Sequence, residues 1–210
     1  MERREVLKRI EGIDGELAAV RCMLGSLKTA GPDVFPEIYE DWSVEAAMKM
    51  ERAACRVRHL IYATLSITKP ELMRKVTGVH GIAISCDEGI FTVALPSLLP
   101  KKKKAYSSEF ITDPLYFALD EYFSVKRMAI FDECVVVFEH VYDGDNPARR
   151  VCDYDNLELK PVLDTVAAFV MTDDSGRFCD VYNTSTCGTK DHTVVRVMAK
   201  GRFPEWLAER

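Results

Sequence analysis

The 210-residue sequence contains no G-x-x-x-x-G-K-[ST] loop and no G-x-G-x-x-G turn, so it lacks the backbone cradles that hold nucleotide phosphates. P-loop hydrolysis, dinucleotide redox chemistry and a nucleotide cofactor are therefore not expected. It has no run of the ~20 apolar residues that a bilayer-crossing helix needs. Its start, Met1-Glu2-Arg3-Arg4-Glu5, is charged where a secretory leader would be apolar. A soluble, cytoplasmic chain without a membrane partner is expected. The 7 cysteines include no C-x-x-C pair and have no histidine at zinc-finger spacing. Reduced thiols are expected, with Cys55, Cys134 and Cys179 as small apolar core residues. His59, His80, His140 and His192 stand far apart, with no Ser or Cys plus acid at triad spacing, and are assigned no catalytic role.

What the sequence does hold is an ordinary globular composition, 48% apolar and 29% charged, enough to bury a core. The formal net charge of -5 is uneven. Residues 1–80 carry 13 Lys and Arg against 12 Asp and Glu, whereas residues 81–210 carry 15 against 21. Nucleic-acid affinity comes mostly from neutralising phosphates, so an acidic second part needs local basic patches or a metal to bind such a partner. Lys101, Lys102, Lys103 and Lys104 form one candidate patch, and Arg149 with Arg150 a second.

The first part reads as helix. Val6, Leu7, Ile10, Ile13, Leu17, Val20, Leu24 and Leu27 recur at three- and four-residue steps, which predicts one apolar stripe on a long helix. Gly31-Pro32 and Pro36 end it, and a second helix is predicted from a Ser43 cap through Leu65. Lys69-Pro70-Glu71 predicts a break and then a short helical turn to Lys75. A helical hairpin over residues 1–77 follows, a natural packing or dimerisation arm. Trp42 and Trp206 are read as packing anchors.

From Gly78 the pattern changes to strands. Ile82–Cys86 and Ile90–Pro96 around Asp87-Glu88-Gly89 predict a hairpin, and a helix is predicted from Pro114 to Lys126. The unbroken apolar run Cys134–Phe138 predicts a central strand buried on both faces. A helix over Val162–Val170 and a closing hairpin of Phe178–Tyr182 with Thr193–Met198 complete the reading. The fold class is α+β.

Between residues 149 and 174 acidic groups crowd together: Asp153, Asp155, Asp164, Asp173 and Asp174, beside Asn156 and Lys160. Asp153 and Asp155 are two apart, so an extended backbone would turn both to one side, where they could converge on one cation. Asp155 with Glu158 also has the spacing of a capping box. Oxygen donors with neither His nor Cys among them favour Mg²⁺ or Mn²⁺.

The order D-x-D-N, a lysine shortly after, an Asp within the following helix and D-D before the final strands resembles the RusA family of Holliday junction resolvases. So does the context before it: a strand running into Ala-Leu-Pro-Ser-Leu-Leu-Pro, then basic residues and a Tyr, a helix and a strand. The likeness spans about residues 89–200, and the chain is also similar to uncharacterised proteins carried on mobile elements of gut Firmicutes. Lys160 follows Asp155 by five residues where the family usually has four, and the family's proline-rich loop is here the lysine run. The resemblance implies a RusA-like mixed sheet with two helices over residues 78–210, in a homodimeric Mg²⁺-dependent endonuclease that cuts branched DNA. Asp153, Asp155 and Asp174 would be its metal ligands and Lys160 its cation beside the scissile phosphate. The alternative is a non-enzymatic, dimeric interaction protein, or a DNA-associated one, that keeps the fold without the activity. An enzyme requires three carboxylates converging with Lys160 facing them; an interaction protein requires a broad apolar patch on the helices.

Overall fold

In a computed structural model, which describes residues 3–30, 36–65, 67–100, 102, 109–145, 151 and 153–210, the first two elements are the long helices α1 (Arg3–Ala30) and α2 (Pro36–Thr64). They pack on each other as an antiparallel pair: Arg56 of α2 donates to the Gly12 carbonyl near one end, while Leu27 and Tyr39 line a common groove near the other. The second helix begins at Pro36, where a proline in the first turn sacrifices no intrahelical hydrogen bond. Ser43 is no cap; its hydroxyl donates back to the Tyr39 carbonyl at 2.7 Å from within the helix.

The seam between the two helices is narrower than the sequence stripe. Ile13, Val20 and Leu27 are buried at seven-residue steps, against Ala46 and Ala53, also seven apart. The small alanines let the backbones approach closely, as in coiled-coil packing. Leu7, Ile10, Leu17 and Leu24, predicted on the same stripe, are 42 to 52% exposed. Cys55 is exposed too, because it faces away from the seam on which Ala53 lies.

These helices belong to the first of two units, Met1–Lys69 and Pro70–Arg210. Helix α3 (Lys69–His80), which belongs to the second unit from Pro70 onward, is a full 12-residue helix where the sequence suggested a short turn. Strands β1 (Ala83–Asp87) and β2 (Ile90–Leu95) form the predicted hairpin with Asp87 opposite Ile90. Only Glu88 and Gly89 connect them, both at positive φ, the backbone of a type I′ turn. Helix α4 (Glu109–Val125) starts earlier than predicted and contains Pro114 in its interior. Then follow β3 (Cys134–Asp143), a 3₁₀ turn at Tyr154–Asn156, α5 (Leu159–Val170), β4 (Cys179–Gly188), β5 (His192–Ala199) and α6 (Phe203–Ala208).

The five strands form one mixed sheet in the order β1-β2-β5-β3-β4. β4 and β5 are consecutive in the chain but do not pair: β3 lies between them, parallel to β4 and antiparallel to β5. The predicted closing hairpin is therefore replaced by two pairings on β3, whose apolar run is buried on both faces as its composition requires. On one face Phe91, Val93, Val136, Phe138, Val195 and Val197 pack with Leu115 and Leu119 of α4 and Val162, Val166 and Val170 of α5. The other face is a smaller cluster of Val135, Val137 and Met198 under Tyr182, Phe203 and Trp206, so Trp206 is a packing residue. Cys134 and Cys179 are buried side by side at the start of β3 and β4, and the Cys134 thiol is pushed up by its Cys179 partner and by burial. Among the described residues no helix is long and apolar enough to cross a membrane.

Candidate functional site

The carboxylate segment lies on the crossover between the parallel strands β3 and β4, beyond the end of β3. Its anchor is Tyr154. The Tyr154 hydroxyl shares a hydrogen bond with Ser185 Oγ at 3.0 Å, and its ring stacks on His140 with centroids 5.5 Å apart. His140 is opposite both Thr193 of β5 and Ser185 of β4 in the register. The sheet face that is apolar under α5 thus turns polar at this end, in the row Thr193–His140–Ser185, and Tyr154 covers it.

His140 and Thr193 are fully buried, and among the described residues neither the two His140 ring nitrogens nor Thr193 Oγ1 and Asn183 Oδ1 has a bonded partner. Burial, the larger influence, pushes the His140 imidazole below its usual value, while Asn183 acts in the opposite direction. His140 is therefore neutral near pH 7. Nothing in the sequence distinguishes it from the other three histidines except its place two residues after the apolar run, on the side of Val136 and Phe138.

Leu157 is buried and pins the segment to the core. On either side of it the backbone is paired with the stretch after β2: Lys102 N–H donates to the Asn156 carbonyl at 2.7 Å, and Glu158 N–H to the Pro100 carbonyl at 2.9 Å. Lys102, exposed at its side chain, is thereby placed beside the D-x-D-N motif. Lys101, Lys103, Lys104, Arg149 and Arg150 lie outside the described residues.

Asp153, Asp155 and Asn156 are exposed. The extended geometry predicted for the two aspartates holds at Asp153 alone; Tyr154–Asn156 coils as a 3₁₀ turn, in which residues two apart do not share a side. Asp155 does not cap α5 either: Glu158 occupies that position and makes no side-chain cap. Pro161 consequently falls in the first turn of α5, where its missing N–H breaks no helical bond.

Lys160 gathers the remaining acids. Its ammonium is bonded to Asp164 one turn along α5 and to Asp174 in the loop beyond the helix. Asp164 and then Asp174 raise the Lys160 pKa, and Lys160 in turn holds the Asp174 carboxyl below the usual range. Asp173 turns away and accepts from Ser175, from N–H at 3.2 Å and from Oγ at 2.8 Å. The structure thus brings together Lys160, Asp164 and Asp174, and it does not gather Asp153, Asp155 and Asp174. Among the described residues no three His, Cys, Asp or Glu side chains form a group that could hold a metal ion. The oxygen donors suit Mg²⁺ or Mn²⁺ in kind, but as placed they do not fit the ion.

A family model for a family of unknown function, DUF6100, matches residues 2–210. The chain belongs to that family. The match takes in the helical hairpin and the α+β unit alike, so the hairpin is part of what defines a DUF6100 chain. No curated protein matches it.

The hairpin is the second candidate surface of this DUF6100 chain, and its two flanks differ. On one flank Glu16 of α1 pairs with Arg52 at 3.8 Å and Arg56 at 3.5 Å, and a groove is lined by Glu5, Lys8, Arg9, Gly12, Arg56 and His59. On the opposite flank Leu24 and Met50 line a common groove with Leu27, Tyr39 and Ala47. Ile10 and Leu17 continue that flank along α1 at seven-residue steps, and Val57 continues it along α2. The sequence carried the signal, two interleaved seven-residue series in α1, but read as a single stripe it did not show that only one series is buried within the hairpin.

Proposed function

We propose that this protein is a non-enzymatic interaction protein that docks through the hairpin of α1 and α2 and keeps a RusA-like sheet without cutting DNA. One observation carries the reading: the apolar flank Ile10–Leu17–Leu24 with Met50 and Val57, each 39 to 52% exposed, opposite a flank laced with ion pairs. An amphipathic hairpin with one stripe satisfied and a second uncovered has the form of half a helical bundle. The carboxylate segment supports the same reading, since Lys160 neutralises Asp164 and Asp174 and, among the described residues, no three carboxylates meet. The excess of acid over base in residues 81–210 also suits a phosphate backbone badly. A cytoplasmic location belongs to this reading.

The test is direct. With Mg²⁺ or Mn²⁺ at millimolar concentration, a synthetic four-way junction stays intact and calorimetry shows no metal binding. Metal-dependent nicking that disappears in Asp155→Asn overturns the reading.

A second reading, a homodimeric Mg²⁺- or Mn²⁺-dependent endonuclease on branched DNA, is favoured by a specific pair of observations. Lys160 reaches Asp174, as the RusA resemblance requires, and the backbone bonds at Asn156 and Glu158 set Lys102 beside the motif. On that reading Asp153, Asp155 and Asp174 would hold the ion, which would supply an activated water and neutralise charge on the leaving oxygen. The nicking assay separates the two.

A further inference from the structure

We infer that the occupant of the apolar hairpin flank is a second copy of this chain, its α1 antiparallel to the first across a two-fold axis at Leu17. The inference rests on the docking reading above and adds the partner and the register. The flank is self-complementary about one level. Turning a copy over about an axis through Leu17 sets Leu17 on Leu17, and Ile10 on Leu24 in both directions. Glu16 touches both Arg52 and Arg56, so the same level of the hairpin meets α2 near Arg52 and Ala53. With the axis at the level of Arg52, Met50 comes opposite Ala54 and Val57 opposite Ala47, a large side chain facing a small one each time. A face whose bulky and small positions exchange under one rotation is shaped for itself.

The charges agree. Asp14 and Arg21 each follow a buried seam residue, Ile13 and Val20, and so lie about 100° around α1 from the seam, just outside the Leu17 stripe. Both are exposed. Across the axis each Asp14 faces an Arg21 of the other copy, which makes two interchain pairs per dimer. A copy joined in parallel would set Asp14 on Asp14 and Arg21 on Arg21, so the same charges reject the other orientation. The product is a four-helix bundle in which both seven-residue series of α1 are buried, Ile13–Val20–Leu27 within each hairpin and Ile10–Leu17–Leu24 between copies.

The test uses the full chain and sedimentation velocity. The wild type is expected as a dimer at about 50 μM, and Asp14→Arg and Arg21→Asp, each replacing two attractions by two repulsions, raise the dissociation constant about tenfold. Mixing the two variants in equal amounts restores dimer, because the heterodimer again has opposite charges at both positions. A merely damaged fold would not be rescued by mixing. Single variants that dimerise like the wild type, or a mixture no tighter than its components, overturn the antiparallel register. A monomeric wild type at that concentration overturns the second copy as partner, while the non-enzymatic reading stands or falls separately by the nicking of the four-way junction.

Discussion

Tyr154 lies flat over His140, ring centroids 5.5 Å apart and planes 26° from parallel, with its hydroxyl bonded to Ser185 on the neighbouring strand. One side chain from the carboxylate segment thus covers the polar row Thr193–His140–Ser185 at one end of the sheet face that packs under α5. Replacing Tyr154 by Phe keeps the stack and removes the bond, leaving Ser185 Oγ without it. The expected loss is about 1 kcal/mol in urea unfolding, with an unchanged slope.

Acid should destabilise this end of the sheet through His140. Its folded-state pKa lies below the unfolded value near 6.5, so the contribution of the neutral buried ring is complete above that pH and lost as pH falls through and below it. Thermal unfolding of the wild type between pH 7.5 and 5 is expected to show a falling midpoint. His140→Phe, which keeps a ring against Phe138 and Tyr154, should flatten that slope; a slope that persists unchanged assigns it to another group.

Glu139, one residue earlier and on the opposite face, behaves in the reverse sense to its neighbour. Burial pushes its carboxyl up, but the hydrogen bond and charge of Arg196 and then Arg210 outweigh this and hold it below the ordinary range. Arg210 reaches Glu139 at 2.5 Å and Thr184 at 2.7 Å, and its guanidinium lies 5.4 Å from the Trp206 ring centroid. Arg210 is thereby tied to β3. Glu139→Gln should cost about 1–3 kcal/mol at pH 7. The difference from wild type should shrink as pH falls below about 4.5, where the carboxyl of the unfolded chain takes up a proton that the folded one, held lower, still refuses.

By contrast, Lys160→Met should change stability by no more than about 1 kcal/mol, because Lys160 and Asp164 are both well exposed. Its effect is local: without the ammonium, the Asp174 carboxyl rises toward its ordinary value, a shift that carbon-detected NMR titration reads directly. An Asp174 titration unmoved by the substitution would show that the pair does not persist in solution.

Local pattern carried much of the fold. The β1–β2 hairpin, the buried run of β3 and the helical face of α5 all follow from residues near each other in sequence, where periodicity and turn chemistry are decisive. What was not legible depends on partners far along the chain. Phe178–Tyr182 and Thr193–Met198 look like a hairpin because they are neighbours, yet β3 contributes a longer apolar edge to each, and that long-range pairing wins. The start of α2 was misplaced for a different reason: Ser43 has the chemistry of a cap, but the helix had already begun at Pro36.

The carboxylate segment was legible as composition and not as geometry. Five aspartates within 22 residues stand out in any reading. Their side chains are set by the 3₁₀ turn at Tyr154–Asn156 and by the reach of Lys160, neither of which spacing reveals. The hairpin flank is the converse case: its seven-residue series was plain in the sequence, but which series stays exposed is decided by Ala46 and Ala53 on the partner helix.

The most direct measurement of the account is the solution mass of the full chain, wild type and Leu17→Asp, by sedimentation equilibrium at about 50 μM. Leu17 is exposed within one copy, so the substitution leaves the hairpin seam intact while placing two carboxylates face to face at the proposed axis. The account predicts twice the chain mass for the wild type and a single chain mass for Leu17→Asp. A wild type at single chain mass, or a Leu17→Asp dimer as tight as the wild type, would contradict it.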